Sequence, residues 1–385
     1  MGKQYISTVT ASNAHRLDIL GVVMTSKYTI TVSSDGYAAF WDNQVDEVHN
    51  PEDHVVRQLI NPIGIHHVAV FEDVPPGLTT KVMLMAFACF DGSVKFFSIK
   101  NTDMATFLAV ETGNLFASDC WCPGFYKDPT SAQHFFVVTK ANGKTGVYNL
   151  DLIVDGEKVD IALNTLVGEL NSSNNFSSFP GALAVSSEGL CAIGYTMGDV
   201  VVYNLKGLKQ LFTFHSTDLQ VKVGVGSTSV PRVIEFSPGG SILVVARDNQ
   251  SAGSITLYDI KYGENIGSLT TLTHSAKTTI GGFAHESWIM GLSFNADGTL
   301  LASSGFDKCV RVWSMELRER EATFQISLSD LETTEGCDDS DISVCSGVSF
   351  IDKGVRGGLG GDINEGLCVV SFDRGIRWYR EAGGV

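Results

Sequence analysis

Apolar and polar residues alternate with a period of two through many short segments of this chain of 385 residues. The segment SSGFDKCVRVWSM, residues 303–315, shows the pattern, with Asp307 six positions before Trp313 and apolar residues alternating between them. Successive side chains of a β-strand point to opposite faces, so this alternation predicts a strand that follows a tight turn.

The same pattern occurs seven times, so the chain contains seven related units. The aromatic residues that end the units are Trp41, Phe97, Tyr148, Tyr203, Tyr258, Trp313 and Tyr379, and successive ones are 56, 51, 55, 55, 55 and 66 positions apart. A second strand opened by a turn precedes several of them, as in residues 185–195, 236–247 and 294–305. Each unit is therefore predicted to be a small antiparallel sheet of about four strands.

This repeated pattern resembles the WD-repeat family, whose fold is the β-propeller. The resemblance covers essentially the whole chain, although only Trp41-Asp42 keeps the literal WD pair. It predicts an all-β, seven-bladed propeller with four-stranded antiparallel blades, formed as a single domain by residues 1–385. The repeat is longer than usual for the family, and we expect the additional residues to form loops around residues 100–114, 151–175 and 329–345.

The two ends of the chain are predicted to meet in one blade. The last unit stops at Tyr379, six residues before the end of the sequence, which leaves no room for an outer strand. The segment from Tyr5 to Thr10 precedes the first full unit and alternates like a strand. An open sheet edge would remain unless this N-terminal strand completes the last blade, so we expect it to close the ring.

Two units carry the residues of a buried hydrogen-bond network that the WD-repeat family uses. The family joins a histidine before the first strand, a Ser or Thr on the second, the turn aspartate and the third-strand tryptophan. The matching positions are His15, Thr31, Asp35 and Trp41 in one unit, and His285, Ser303, Asp307 and Trp313 in another. The resemblance gives them a structural role, because a buried carboxylate needs donors and a satisfied network makes the turn rigid. The units ending at positions 97, 148, 203 and 258 lack the full set and are expected to rely more on packing.

Composition narrows the classes of partner. The chain has 27 Lys and Arg residues against 43 Asp and Glu residues, a formal net charge of −16 that repels nucleic-acid backbones and anionic membrane surfaces. No signal region or uninterrupted apolar run of membrane-spanning length occurs in the sequence. The eight cysteines stand mostly singly in apolar runs, which is typical of a reducing compartment. An intracellular protein without direct nucleic-acid or membrane contacts is predicted.

The motifs that could carry catalysis or bind a metal are incomplete. The His, Ser and Asp set would suit a hydrolase, but it recurs in two units without a nucleophile elbow or oxyanion-hole motif. Gly143-Lys144-Thr145 lacks the first glycine of a phosphate loop, His66-His67 has no carboxylate at ligand spacing, and Cys120-Trp121-Cys122 is too short for a CxxC pair. We expect no catalytic residue, metal or cofactor. The open alternative is a pair of acids in the central channel, as in some seven-bladed hydrolases.

The resemblance also points to a partner-binding face. In this fold the residue before the turn aspartate and the residue three beyond the histidine both face the top of the ring. These rules select Asp18, Phe90, Phe179, Val230, Trp288, Phe306 and Phe372. Aromatic residues exposed together form an apolar patch with the composition of an interface hot spot, and the carboxylate can bind a partner's arginine. The alternative is that several of the rings fold onto neighbouring blades.

The acidic stretch from Asp330 to Asp341 has six carboxylates and no base. It is predicted to be a solvated loop, with recognition of a partner as the alternative.

Four segments are similar to the fungal WD-repeat subunits of superkiller (Ski) complexes. They are IHHVAV (65–70), GENIGSL (263–269), FAHESWIMGLSFNADG (283–298) and GGDINEGLCVVSFDRGIRWYREAGG (360–384). The resemblance implies a non-catalytic scaffold that docks a tetratricopeptide-repeat subunit and helps assemble it with an RNA helicase for exosome-mediated 3′-to-5′ mRNA decay in the cytoplasm. It also implies a nuclear pool that binds the topoisomerase-like protein of meiotic double-strand-break formation. Both partners are expected to present a Gln-Arg pair followed by an apolar residue. The alternative is a transcription- or chromatin-associated WD-repeat adaptor.

Overall fold

The chain forms a ring of seven four-stranded antiparallel sheets. The computed structural model describes residues 3–45, 49–128, 131, 133–155, 158–171, 178–216, 229–249, 252–271, 283–331, 342–357 and 363–382. The prediction of an all-β propeller with seven four-stranded blades is confirmed.

The strands follow one another in the chain from the innermost to the outermost position of each blade, except that the N-terminal strand of the chain takes the outermost position of blade 7. Blade 1 contains β2 (Ile19–Met24), β3 (Tyr28–Ser33), β4 (Tyr37–Asp42) and β5 (Val55–Leu59), and blade 2 contains β6 (Ile65–Asp73), β7 (Val82–Cys89), β8 (Val94–Lys100) and β9 (Asp103–Ala109). Blade 3 contains β10 (Cys120–Lys127), β11 (His134–Lys140), β12 (Thr145–Asp155) and β13 (Lys158–Leu170). Blade 4 contains β14 (Pro180–Val185), β15 (Leu190–Tyr195), β16 (Val200–Asn204) and β17 (Lys209–Phe214).

The remaining blades follow the same plan. Blade 5 contains β18 (Val230–Phe236), β19 (Ile242–Asn249), β20 (Ala252–Asp259) and β21 (Glu264–Leu269), and blade 6 contains β22 (Ile289–Phe294), β23 (Leu300–Gly305), β24 (Cys309–Ser314) and β25 (Glu319–Gln325). Blade 7 contains β26 (Cys345–Ile351), β27 (Gly366–Ser371), β28 (Ile376–Ala382) and β1 (Gln4–Ala11). The 3₁₀ turns Pro51–His54 and Leu328–Asp330 lie outside the sheets.

The first strands of the blades form the wall of a central channel. Each contacts the first strand of the next blade, in the order β2, β6, β10, β14, β18, β22, β26 and back to β2. Each sheet packs between two neighbours, so both faces of its inner strands are buried. Every residue of β7 is buried, for example, and this strand is an uninterrupted apolar run instead of an alternating one.

The N-terminal strand closes the ring, as predicted. It pairs antiparallel with β28, in a register that runs from Gln4 opposite Ala382 to Ala11 opposite Ile376. Val9 and Ala11 are buried in a core cluster that also contains Trp41 of blade 1 and Trp378 of blade 7. Blade 7 therefore combines the first and last strands of the chain, and its edge is covered.

Two of the three predicted loops are wrong. Residues 100–114 include strand β9, and residues 151–175 include the end of β12 and all of β13. Strands β9 and β13 are the outermost strands of their blades and lie outside the turn-to-aromatic pattern that marks the third strands. In blade 3 the hairpin continues beyond the sheet, because β11 starts at His134 opposite Leu150 while β12 runs on to Asp155.

The third predicted loop and the acidic stretch lie mostly outside the described residues. Within 330–341, the structure describes Asp330 and Leu331. The seven cysteines in the described residues are free thiols, and six of them are buried. Across the ranges given above, no helix has the length and apolar character needed to cross a membrane.

Candidate functional site

The top face of the propeller is defined here as the face that carries the loops before the innermost strands and the turns after the second strands. A β-bulge occurs at this end of the innermost strand in all seven blades, where its register against the second strand shifts. Such a bulge re-aims the extra residue. We take one residue within each shift, the residue that follows the first paired position, and call the set the bulge ring: Leu20, His66, Trp121, Gly181, Arg232, Met290 and Ser346.

All seven members of the bulge ring line one cavity of about 340 Å³ at the mouth of the channel. The predicted residues Phe90, Phe179 and Val230 line the same cavity. Its walls are mainly apolar, and its polar side chains are those of His66, His67, Thr196, Arg232 and Ser346. A concave apolar site with a few polar groups is typical of a binding site for one side chain or a small ligand.

An aromatic cluster spans blades 2 to 4 beside this cavity. The imidazole of His66 stacks on the indole of Trp121 with ring centroids 4.0 Å apart, and the ring of Phe90 lies 5.1 Å from the imidazole. Phe179 packs edge-on against Trp121 at 5.3 Å. Phe90 is 47% exposed, and Phe179 and Trp121 are half-buried, so these rings present apolar surface to solvent.

A second aromatic cluster spans blades 6 and 7. Phe306 lies between Trp288 and Phe372, with ring centroids 5.7 Å and 5.5 Å away. Trp288 is 37% exposed and the two phenylalanines are half-buried. The guanidinium carbon of Arg232 lies 4.6 Å from the Trp288 ring, and its Nε donates to Asp248 Oδ2 at 2.8 Å. The ion pair holds the arginine flat on the indole, which extends this cluster toward blade 5.

Asp18 belongs to neither aromatic cluster. It is exposed in the loop before β2, and its carbonyl oxygen accepts a hydrogen bond from the N–H of Ser34 at 3.1 Å. Partial burial raises the pKa of its carboxyl, an effect that the nearby Arg374 opposes. The seven predicted top-face residues thus form two separate apolar groups and one acidic position on the rim.

Sequence reasoning missed His66, Trp121 and Arg232 as members of this surface. His66 is the second residue of β6, and its side chain turns to the cavity because the bulge lies at that position. Trp121 was considered only as part of Cys120-Trp121-Cys122, which is too short for a CxxC pair, and its ring faces the same cavity. No local signal marks these residues, because a bulge depends on the pairing of two strands.

The histidines at the start of β6 form a hydrogen-bonded chain with a defined tautomer. Nε2 of His66 lies 3.1 Å from the carbonyl oxygen of Cys89 and must donate to it, so Nδ1 of the neutral ring is an acceptor. Nδ1 of His67, 2.6 Å away, is then the donor. Burial lowers the pKa of His66 to about 4, and burial followed by the neighbouring His66 lowers the pKa of His67 to about 3. Both rings are therefore uncharged at neutral pH.

The residues of the two predicted networks lie within hydrogen-bonding distance in blades 1 and 6. In blade 6, Trp313 Nε1 donates to Ser303 Oγ at 2.9 Å, and His285 reaches Ser303 Oγ at 2.8 Å and Asp307 Oδ1 at 2.9 Å. Burial lowers the pKa of His285, which keeps its ring neutral. The carboxylate of Asp307 can only accept a hydrogen bond, so Nδ1 of His285 carries the proton and Nε2 accepts from the serine. In blade 1 the corresponding distances are 3.0 Å for Trp41 to Thr31, 2.9 Å for His15 to Thr31 and 3.3 Å for His15 to Asp35.

Blades 6 and 7 add an arginine to their turn aspartates. Arg311 Nη1 lies 2.7 Å from Asp307 Oδ2. In blade 7, Arg377 is completely buried, its Nη2 lies 2.7 Å from Asp373 Oδ2, and its Nη1 donates to Ser371 Oγ at 2.9 Å. Burial acts to raise the pKa of Asp373, but the hydrogen bond and charge of the arginine hold it below its usual value. These ion pairs are parts of the blade turns.

Glu235 on β18 is an acid on an innermost strand. Burial raises its pKa to about 8, so its carboxyl is largely protonated at neutral pH. The adjacent innermost strands β14 and β22 contain no acidic residue, so no carboxylate pair forms beside it. Within the described ranges, no group of three or more His, Cys, Asp or Glu side chains has the arrangement of a metal site.

Comparisons with known proteins identify the family. Residues 277–314 match the WD40 family, described as WD domain, G-beta repeat. The chain is 35% identical to the antiviral protein SKI8 of Saccharomyces cerevisiae over 402 aligned positions that cover all of both proteins. The chain belongs to the SKI8 family.

More distant relatives match this SKI8-family chain over shorter parts. The meiotic recombination protein rec14 of Schizosaccharomyces pombe is 23% identical over 269 positions, which cover 69% of the chain and 74% of rec14. WD repeat-containing protein 1 of Xenopus tropicalis is 34% identical over 104 positions, which cover 27% of the chain and 15% of that protein. The expected membership of the fungal WD-repeat group is thus confirmed by the full-length match to SKI8.

Proposed function

We propose that this SKI8-family chain is a non-catalytic scaffold that binds partner proteins through its top face. The observation that supports this most directly is the cavity at the channel mouth, which collects one bulge residue from every blade and has an aromatic cluster beside it. Exposed aromatic residues around a concave apolar site have the composition of an interface hot spot. The structural hydrogen-bond networks account for the residues that would suit a hydrolase.

The partners proposed are those of a Ski complex. The chain would dock the tetratricopeptide-repeat subunit and help to assemble it with the RNA helicase that supplies the exosome in 3′-to-5′ decay of cytoplasmic mRNA. The likeness to a meiotic recombination protein supports a second, nuclear role with the topoisomerase-like protein that forms meiotic double-strand breaks. The net charge of −16 supports a division of labour in which the helicase, and not the propeller, contacts RNA.

A short partner segment with a Gln-Arg pair and a following apolar residue suits the top face. The apolar side chain would pack on the cluster of Trp288, Phe306 and Phe372, and the arginine would bind the carboxylate of Asp18. Arg374, two residues after Phe372, acts electrostatically on Asp18, which indicates that the acidic position lies near the blade 7 end of this cluster. The cavity lined by the bulge ring would take a further side chain of the same partner.

The test is binding of the purified tetratricopeptide-repeat subunit to Trp288→Ala, Phe306→Ala and Trp121→Ala variants, measured by calorimetry. Truncation of a hot-spot ring is expected to cost about 2 kcal/mol or more of binding free energy. The matched control is Tyr262→Ala, because Tyr262 is 64% exposed but lies in the β20–β21 turn on the opposite face. Wild-type affinity in all three variants, with unchanged thermal unfolding, would remove the top face as the docking site.

A further inference from the structure

A second cavity, of about 320 Å³, lies beside the loop that joins β1 to β2. Its lining residues are Asn13, Ala14, His15, Arg16, Asp35, Tyr37 and Arg57. It shares no residue with the cavity at the channel mouth. We call it the blade 1 pocket. The β1–β2 loop precedes an innermost strand, so the pocket opens near the top face.

Blade 1 lacks a basic residue that stands four positions after the turn aspartate in three other blades. The turn aspartates of blades 2, 6 and 7 are each followed four positions later by a base, and these bases are Lys95, Arg311 and Arg377. In blade 1 the fourth position after Asp35 is occupied by Ala39, which is completely buried. Asp35 and Tyr37 precede Ala39 in the chain, and Arg57 lies opposite it on β5. These three residues line the pocket, in the space that the small side chain of Ala39 leaves between them.

Arg57 does not take over the role of the missing base. It stands directly opposite Ala39 on β5, but its Nε donates to the carbonyl oxygen of Ala14 at 3.3 Å, and its guanidinium carbon lies 5.5 Å from the Trp41 ring. Arg16 is exposed in the loop. In the part of the chain that the structure describes, neither arginine forms a salt bridge with a carboxylate. The packing of Arg57 holds one edge of its guanidinium and leaves donors for a ligand.

Among the residues described, Asp35 forms no ion pair with either arginine, and its oxygens accept hydrogen bonds from other groups. Oδ2 accepts from the backbone N–H of Arg16 at 2.8 Å, Oδ1 accepts from the backbone N–H of Tyr37 at 2.9 Å, and His15 Nδ1 lies 3.3 Å from Oδ2. Burial acts to raise the pKa of Asp35, but the bonds from His15 and the backbone hold it at about 2. The carboxylate therefore positions the backbone of Arg16, and two guanidiniums outnumber it.

We propose that the blade 1 pocket binds an oxyanion, a carboxylate or a phosphate group carried by an acidic segment of a protein partner. A further cation would meet two guanidiniums, whereas an oxyanion meets two planar forks of donors that match its geometry. The positive pocket stands out in a chain of net charge −16, so it offers a local attraction for an acidic segment that the rest of the surface repels. This inference rests on the proposed function in one respect, that the partner lies on the top face.

The direct test uses the isolated full chain and inorganic phosphate as the probe, titrated by calorimetry at constant ionic strength, with acetate as the carboxylate probe and chloride as the blank. Arg16→Gln and Arg57→Gln are each expected to weaken phosphate binding about tenfold, the effect of losing one charged hydrogen bond. The matched control is Arg320→Gln, an exposed arginine on the outer strand of blade 6. Absence of phosphate binding in wild type, or an equal loss in all three variants, would overturn the inference.

A second variant separates the pocket from general charge. Ala39→Arg reproduces the arrangement of blade 6 and adds a positive charge, yet it should abolish phosphate binding because the new side chain occupies the pocket. Stronger binding by this variant would show a diffuse charge effect and contradict the proposal. If the buried substitution unfolds blade 1, the Arg16→Gln result decides, since Arg16 is exposed.

Three peptides that differ at one position, with Glu, phosphoserine or Ala, identify the source of the oxyanion. Binding of the Glu or the phosphoserine peptide above the Ala peptide, lost in Arg57→Gln, supports the proposal and names the group. Binding of an oligoribonucleotide in place of the peptides would overturn the choice of a protein partner. If the wild-type chain binds phosphate but Trp288→Ala leaves partner affinity unchanged, the proposed docking surface is rejected and this pocket is kept. If phosphate does not bind but Trp288→Ala weakens partner binding, the pocket alone is rejected.

Discussion

The imidazole of His66 lies nearly parallel to the indole of Trp121, with ring centroids 4.0 Å apart and an angle of 25° between the planes. The contact joins blade 2 to blade 3 at the mouth of the channel. It depends on two bulges and on a neutral His66, whose Nε2 donates to the Cys89 carbonyl while Nδ1 accepts from His67. Protonation of either histidine would place a charge in this buried chain of rings.

Acid should therefore destabilise the protein before its carboxylates titrate. The folded-state pKa values of His66 and His67, about 4 and about 3, lie below the ordinary value of 6.5, so the unfolded state binds protons first. Their contribution to stability is complete above pH 6.5 and is lost as the pH falls toward 4 and then 3. Each histidine should contribute a slope of up to about 1.4 kcal/mol per pH unit near pH 5.

The measurement is the free energy of urea unfolding at pH 7, 6, 5 and 4. His66→Gln and His67→Gln are expected to flatten the dependence between pH 6 and 4, and His54→Gln, a change at an exposed histidine, is the control. An unaltered slope in both buried variants would mean that these rings are not held neutral by burial.

Loss of the buried carboxylate of blade 6 should destabilise the fold strongly. Asp307→Ala removes the partner of both His285 and Arg311 and leaves a buried guanidinium without compensation. The expected cost is about 3 kcal/mol of unfolding free energy. Equilibrium unfolding in guanidinium chloride gives the value, with the exposed Glu316→Ala as control. A cost similar to that of the control would contradict the role of this network in stability.

Closure of the ring by β1 predicts that acidic substitutions at two residues three positions apart differ strongly in their effect on stability. Val9 is 9% exposed in the cluster with Trp41 and Trp378, whereas Ile6 on the same strand is 56% exposed. Val9→Asp buries an unpaired charge and should cost about 3 kcal/mol or more, and Ile6→Asp should change stability by about 0.5 kcal/mol or less. Thermal unfolding compares the two. Equal effects would mean that β1 does not seal blade 7.

Two glycines with the same backbone conformation isolate the effect of crowding. Gly36 has φ +84° and a Cβ there would lie 2.1 Å from the carbonyl oxygen of Asn61, whereas Gly77 has φ +83° and open space around it. Gly77→Ala should cost about 1 kcal/mol from the left-handed conformation, and Gly36→Ala should cost about 2 kcal/mol more because the backbone must shift. Urea unfolding of both variants tests the difference, which vanishes if the turn of blade 1 can relax.

Much of the fold could be predicted because its signals are local. The spacing from Asp307 to Trp313 and its repetition identify the third strands and their number, and the segment after Tyr5 identifies the closing strand. The outermost strands β9 and β13 were mistaken for loops, because neither belongs to the turn-to-aromatic pattern by which the units were found. Family rules selected Trp288, Phe306 and Phe372, which the structure brings into one aromatic cluster.

The linear order of residues was sufficient to establish the third strands, the seven units and the meeting of the two chain ends, because alternation and turn chemistry act over a few neighbouring positions. It was insufficient for the surface at the channel mouth. A bulge is a relation between two paired strands, and a cavity lined by Leu20, Trp121 and Arg232 is a relation among separate blades. The blade 1 pocket also depends on the tertiary structure. The small side chain of Ala39 is significant only by comparison with Arg311 and Arg377, which occupy the equivalent positions of blades 6 and 7.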